Sequence, residues 1–145
     1  FDDEILEEYF MIANQHVHVL DEFNNFMEEE IYQMMVATTE DQDELILENT
    51  TTLKVARWWN RACDIIPCNG GKDIGIQKIL DYFNFNKEEA TAFGDGGNDI
   101  SMLKYVGTGV AMGNAKDNVK AVADYITDSV QEDGIVSALK HFEII

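Results

Sequence analysis

A strand that runs into a tight loop of three glycines, two carboxylates and an amide leaves few folds open to a chain. Residues 90–93 are a short apolar run, Gly94-Asp95-Gly96-Gly97-Asn98-Asp99 follows, and a helical pattern covers about residues 99–104. Ahead of the loop, residues 72–83 carry Ile74, Ile76, Ile79, Leu80 and Phe83 at the spacing of one helix face. Beyond it, residues 106–112 read as a strand broken by glycines, 115–123 as a helix, 125–127 as a short strand and 134–142 as a final helix. Strands alternating with helices imply a parallel sheet joined by right-handed crossovers, an α/β fold of the doubly wound type. Ligands of such sheets bind beyond the carboxyl ends of the strands, where the Asp95 loop lies.

The preceding part of the chain is mixed. Residues 2–13 suit a helix, 16–20 a short strand and 21–30 a short acidic helix. Residues 31–37 suit a buried strand, and Thr39 is placed to cap a helix through Leu47 with Glu40, Asp41 and Asp43 at its positive end. Residues 53–59 and 62–66 form two strands around Asn60-Arg61, the pattern of a hairpin. The only proline, Pro67, is followed by Asn69-Gly70-Gly71, strong punctuation that marks a domain boundary. The expected units are residues 1–67 and 68–145.

Charge limits the partners. The 145 residues hold 28 Asp plus Glu against 10 Lys plus Arg, a net charge of −18. Residues 1–66 carry sixteen acids and three bases. A chain this acidic repels nucleic-acid phosphates and anionic membrane surfaces. No apolar run approaches the about 20 residues of a membrane helix. The chain starts Phe1-Asp2-Asp3-Glu4, without Met and unlike a signal peptide, so the expectation is a cytoplasmic protein, given as an excised or truncated piece. Cys63 and Cys68 match no common zinc or redox spacing and read as free thiols, with a disulfide as the alternative.

The loop has the residues for phosphate and metal chemistry. Its glycines let backbone approach a ligand, and the helix start offers free N–H groups to an anion. Asp95, first in the loop, suits a hard cation such as Mg²⁺, which takes one or two carboxylates and completes its shell with water and phosphate. Capping of a plain turn is the alternative role for Asp and Asn here; an EF-hand is excluded by spacing. Lys72 opens a helix where the dipole prefers acids, so it suits an anionic partner such as a phosphate oxygen, with a plain solvated lysine as the alternative.

Gly71-Lys72, followed some twenty residues later by Phe93-Gly94-Asp95-Gly96-Gly97-Asn98-Asp99-Ile100-Ser101-Met102-Leu103, resembles the haloacid dehalogenase superfamily, and within it the Cof-type phosphatases. Gly109-Val110-Ala111-Met112-Gly113-Asn114-Ala115, Val119-Lys120, Ala123-Asp124-Tyr125-Ile126-Thr127 and Asp133-Gly134-Ile135 resemble the same group. The resemblance implies that residues 68–145 are the carboxyl-terminal part of the hydrolase core, and that residues 1–67 are the end of an α/β cap. It implies hydrolysis of a small phosphomonoester such as a sugar phosphate with Mg²⁺. Lys72 then binds phosphate and stabilises charge, Asp95 is the metal ligand, Asn98 contacts phosphate or the metal's shell, and Asp99 supports the site and orients Lys72.

The resemblance also exposes a gap. The family's nucleophile lies in an Asp-x-Asp-Gly-Thr motif, absent from these residues; Asp41-Gln42-Asp43 is followed by Glu44-Leu45 in a helical stretch. The family's Ser or Thr phosphate motif has no counterpart either. The expectation is a half-site inactive alone, whose strand ending near Phe93 presents an open edge and recruits a missing amino-terminal half or a second copy. A non-catalytic module binding a partner protein or a phosphorylated ligand is the alternative. A receiver domain is excluded because it needs its phospho-acceptor Asp early in the domain.

Other residues read more plainly. Trp58 and Trp59 beside Arg57 and Arg61 suit either a cap surface facing substrate or a hairpin packed on cap helices. His16 and His18 share a strand face but lack a third ligand in sequence, and His141 sits on the surface of the last helix. Met27, Met34, Met35, Met102 and Met112 read as core fillers, and Glu28-Glu29-Glu30 as a solvated helix end.

Overall fold

The computed structural model describes residues 30–145, together with Glu4, Glu7, Glu8 and Met11. The expected strand over 16–20, the helix over 21–30, His16, His18 and Met27 lie outside the described residues. Of the expected first helix, only those four positions are described.

Two three-stranded sheets organise the described residues. The first comprises β1 (Met34–Ala37), β2 (Leu53–Trp59) and β3 (Ala62–Pro67), in the order β1-β3-β2 and antiparallel throughout. The hairpin forms about Asn60-Arg61 as its turn chemistry implies, with a bulge between Arg57 and Trp59. Its alternation sorts the two faces. Cys63 and Ile65 are buried and pair with Arg57 and Val55, while Asp64 and Ile66 pair with Ala56 and Lys54 on the opposite face. β1 begins at Met34, later than the apolar run does. Ile31 and Tyr32 lie outside the sheet and are exposed, and Met34 is 43% exposed rather than a core filler. Hydrophobicity alone did not supply Ile31 and Tyr32 with a neighbouring strand among the described residues. After β1 the chain makes a 3₁₀ turn at Glu40–Gln42 and then α1 (Asp43–Leu47). The expected Thr39 cap bond does not form; instead the Thr38 hydroxyl donates to Gln42 Oε1 at 2.7 Å.

The second sheet is parallel and follows chain order. β4 (Thr91–Gly94) pairs with β5 (Thr108–Ala111), and β5 with β6 (Tyr125–Ile126). The helices α2 (Lys72–Phe83), α3 (Ile100–Tyr105), α4 (Asp117–Lys120) and α5 (Gly134–His141) accompany it. The expected α/β class is therefore present. α2 has the bounds its periodicity implies and ends on Asn84 in the left-handed conformation. The strand expected over 106–112 narrows to Thr108–Ala111. Gly107 is taken up by its N–H bond to the Lys87 carbonyl at 2.6 Å, and its backbone meets Glu88 so closely that no Cβ fits. The helix expected over 115–123 shortens to four residues.

Ala92, Leu103, Val106, Ala111, Ala115 and Val119 make the core, with Ile76, Ile100 and Met102 against it. Met112 is buried, as its reading as a filler implies. By contrast Ile79 and Phe83 are 59% and 58% exposed, so much of the apolar face of α2 has no cover among the described residues. No helix among them is long and apolar enough to cross a membrane.

Leu103 is 1% exposed at the centre of this core. Leu103→Ala is expected to cost about 3 kcal/mol. The measurement is the urea midpoint, which should fall with an unchanged denaturant slope; an unmoved midpoint would contradict this packing.

Candidate functional site

The carboxyl end of β4 turns into the Gly97–Asp99 3₁₀ turn and then α3. Asp99 shapes that turn. Its N–H donates to the Gly96 carbonyl at 3.0 Å. Its Oδ2 in return accepts the N–H groups of Asp95 and Gly96, each at 3.0 Å. Its Oδ1 takes the ammonium of Lys72 in a salt bridge. Asp99 is 5% exposed, while the Lys72 side chain is half exposed. A Cβ on Gly94 would lie 2.6 Å from the Asp99 side chain, so the strand's last residue must be glycine for the carboxylate to sit beneath it. Gly71, just before Lys72, has φ 135°, which also requires glycine.

Burial pushes the Asp99 carboxyl up. The bond from Lys72 and the N–H groups of Gly96 and Asp95 outweigh it, and hold the group below its ordinary value of 3.8. Asp99 is thus an ionised support whose four lone-pair directions are largely spent.

Asp95 differs. It is exposed at the strand end, and its Oδ2 accepts the Asn114 amide at 2.9 Å. Asn114 Oδ1 in turn accepts the Val130 N–H at 3.0 Å, so the amide is fixed from both ends. Oδ1 of Asp95 has no hydrogen-bond partner among the described residues. One free, oriented carboxylate oxygen fits Mg²⁺, which takes only one or two protein carboxylates. No group of three or more His, Cys, Asp or Glu that would cage a metal exists among the described residues. Asn114 stands in a segment that carried the resemblance, but sequence reasoning gave it no role. It reaches the site from the end of β5, a neighbour visible only once the strands pair.

Two cavities meet at Lys72. One, of about 460 Å³, is lined by Lys72, Asp95 and Asp99 and walled by Phe93, Met102 and Met112. The other, of about 580 Å³, is the cleft between the two sheets, where Lys72, Asn98 and Ser101 face Lys54, Ala56 and Asp64. Asn98 therefore shares the cleft with Lys72. The two sides approach closely, since a Cβ on Gly97 would lie 2.5 Å from the Arg57 carbonyl oxygen.

The two arginines and two tryptophans of the hairpin are occupied. Arg57 donates to the carbonyls of Thr38, Trp59 and Ala62 and pairs with Asp43. Arg61 pairs with Glu8 at 2.5 Å and lies over the Trp59 ring, which stacks with Trp58. This favours hairpin packing over a substrate-facing role for these four. His141 is exposed, as expected, and stacks on Tyr125. Both thiols are free. Burial pushes the Cys63 thiol up against the pull of Arg57, with Asp43 and Asp64 adding to the rise, so it stays protonated.

Comparison with known proteins agrees with this geometry. The family model for haloacid dehalogenase-like hydrolases matches residues 3–139. Among solved structures, the subclass IIB sugar phosphatase BT4131 superposes with a TM-score of 0.89 at 38% identity, over 99% of this chain and 55% of that one. The 5-amino-6-(5-phospho-D-ribitylamino)uracil phosphatase YitU of Bacillus subtilis (strain 168) is 43% identical over 89 residues, 59% of this chain and 33% of the enzyme. Kanosamine-6-phosphate phosphatase of the same organism is 43% identical over 77 residues, 53% of this chain and 27% of the enzyme. The chain thus spans about half the length of the solved relative and about a third or less of these two enzymes.

Ionised Asp99 stabilises the fold fully above pH 3.8, and that contribution is lost as pH falls through its lower folded value. Acid titrations of stability for the native chain and Asp99→Asn should therefore converge below pH 3.8. A gap between them that does not change with pH would contradict the depressed carboxyl.

Proposed function

Because the chain belongs to the haloacid dehalogenase-like hydrolases, we propose that it forms the phosphate- and metal-holding half of a Mg²⁺-dependent phosphomonoesterase acting on a small phosphorylated metabolite such as a sugar phosphate. The observation that carries this reading is the double use of Asp99. One oxygen holds the Lys72 cation and the other holds the loop that presents Asp95, so a cation and a free carboxylate oxygen stand together at a strand end. Lys72 holds phosphate oxygens and stabilises the charge of the transition state. Asn98 donates to the phosphate from the cleft side. Asp95, steadied by Asn114, is the residue that would hold Mg²⁺. When bound, Mg²⁺ supplies neutralisation of charge on the phosphate.

In this reading residues 1–67 are part of the cap, residues 68–145 are part of the core, and the protein works in the cytoplasm. The nucleophilic aspartate comes from outside these 145 residues. β4 has a strand on one side only among the described residues, and the cavity beside it has an apolar wall. A strand carrying the nucleophile pairs there, or in its absence a second copy does. Light scattering at micromolar concentration should then give a mass above the 16.4 kDa of one chain. A clean monomer would remove this part of the proposal.

Hydrolysis of an aryl phosphate with Mg²⁺ tests the activity. The 145-residue chain alone should show no turnover above its Asp95→Asn variant. Joined to a segment with the family's Asp-x-Asp-Gly-Thr strand, it should gain turnover, which Asp95→Asn lowers by about 100-fold. Turnover by the chain alone would mean that the nucleophile lies within it. No turnover in either form would favour a non-catalytic module that binds a phosphorylated ligand.

A further inference from the structure

The first sheet and the Asp95 loop come together at a glycine. Gly97 opens the turn that carries Asn98 and Asp99. Its φ lies outside the left-handed region that Gly71 occupies. Backbone conformation therefore leaves position 97 open to residues with side chains. Space does not. A Cβ there would stand 2.5 Å from the Arg57 carbonyl oxygen and 3.7 Å from its carbon, and would meet no other described residue within 4 Å. One carbonyl of β2 thus keeps a side chain off this turn.

That carbonyl is both aimed and held. Among the described residues β2 is an edge strand, with β3 on one side. The Cys68 N–H donates to the Thr52 carbonyl at 2.7 Å, so the backbone groups of Thr52 point toward β3. Backbone groups alternate sides along an antiparallel strand. Those of Lys54 and Ala56 therefore also point toward β3, and those of Val55 and Arg57 point to the open edge. The Gly97 turn lies against that edge. The Arg57 side chain is tied to the carbonyls of Thr38, Trp59 and Ala62 and to Asp43, so the strand cannot give way here without straining those ties. The bulge between Arg57 and Trp59 interrupts the regular pairing at the same place.

We propose that Gly97 is a positioning residue, the seat on which β2 rests and the fixed point that sets how closely the first sheet covers Lys72 and Asn98. A side chain at 97 has to open the 2.5 Å approach to the 3.4 Å or more of ordinary contact, and β2 retreats with it. Lys54 moves with the strand. Its ammonium ends 3.5 Å from the place of a Cβ on Gly71, beside Lys72 and near the Asp73 carboxylate. The retreat admits water between the sheets and weakens each charge interaction in the cleft. The consequence for phosphate rests on Lys72 holding it; the seat itself does not.

Two spin labels on the 145-residue chain test it by pulsed electron resonance. They are attached at the exposed positions Gln33→Cys and Lys104→Cys in a Cys68→Ser background, Cys63 being buried. Gly97→Ala should lengthen the mean distance by about 1 Å, the step from 2.5 to 3.4 Å, and Gly97→Leu by more. Gly75→Ala, the same change where a Cβ meets nothing within 4 Å, should leave it unmoved. Arg57→Met removes the ties on the carbonyl and should broaden the distances with glycine still at 97, so the test stands even where a Gly97 variant does not fold. Calorimetry with inorganic phosphate in Mg²⁺ gives the second reading. Gly97→Leu should weaken phosphate by about threefold or more, and Gly75→Ala should not. Distances that no Gly97 or Arg57 variant moves overturn the seat, while phosphate binding still upholds the phosphatase reading. Displaced sheets with an unchanged phosphate affinity overturn the positioning role. Absence of phosphate binding in the native chain overturns the phosphatase reading and the positioning role with it, while the distances still decide the seat.

Discussion

One carboxylate, that of Asp99, holds the site together. A buried anion is costly unless its oxygens are taken up by donors, and Asp99 meets that condition with two backbone N–H groups and one ammonium. Each donor belongs to something the site needs. The N–H groups belong to the loop that presents Asp95, and the ammonium belongs to the first residue of α2. Gly94 must lack a side chain for the carboxylate to fit beneath the strand, and Gly71 must be glycine to start α2 where Lys72 can reach. The spacing of glycine, lysine and aspartate along the chain is thus the outcome of satisfying one charge.

Much of this was readable in the residues before any coordinates. α2 combines glycines at its start with a regular apolar face, and the hairpin about Asn60-Arg61 joins two apolar runs by a two-residue turn; both are local signals. Asp95 and Lys72 were legible for a similar reason. A carboxylate first in a glycine loop and a lysine at the wrong end of a helix dipole are anomalies that need no neighbour to be noticed. Strand ends were less legible, because they depend on where a partner strand stops. Ile31, Tyr32 and Val106 carry strand-like side chains but join no ladder among the described residues.

The parts of the site that sequence reasoning passed over share one property: their role comes from an approach between distant segments. Asn114 matters because β5 lies beside β4, and its amide then spans from Asp95 to Val130. The tryptophans and arginines drew attention by composition, as cations and aromatics in an acidic half. Carbonyls and carboxylates nearby had already claimed the two guanidinium groups, something that chemical type alone does not disclose.

The strand order of the parallel sheet has a consequence for how this part of the chain reaches its native form. β4, β5 and β6 are neighbours both in sequence and in space, so each pairing closes only a short stretch of chain. Loop-closure entropy rises with the length of chain closed, so these pairings cost less of it than contacts between more distant segments. The Lys72–Asp99 bridge closes over 27 residues, whereas the Arg61–Glu8 bridge spans 53. The Gly94–Asp99 loop therefore depends on a shorter closure than the Arg61–Glu8 contact does, and its buried carboxylate is paired within residues 72–99.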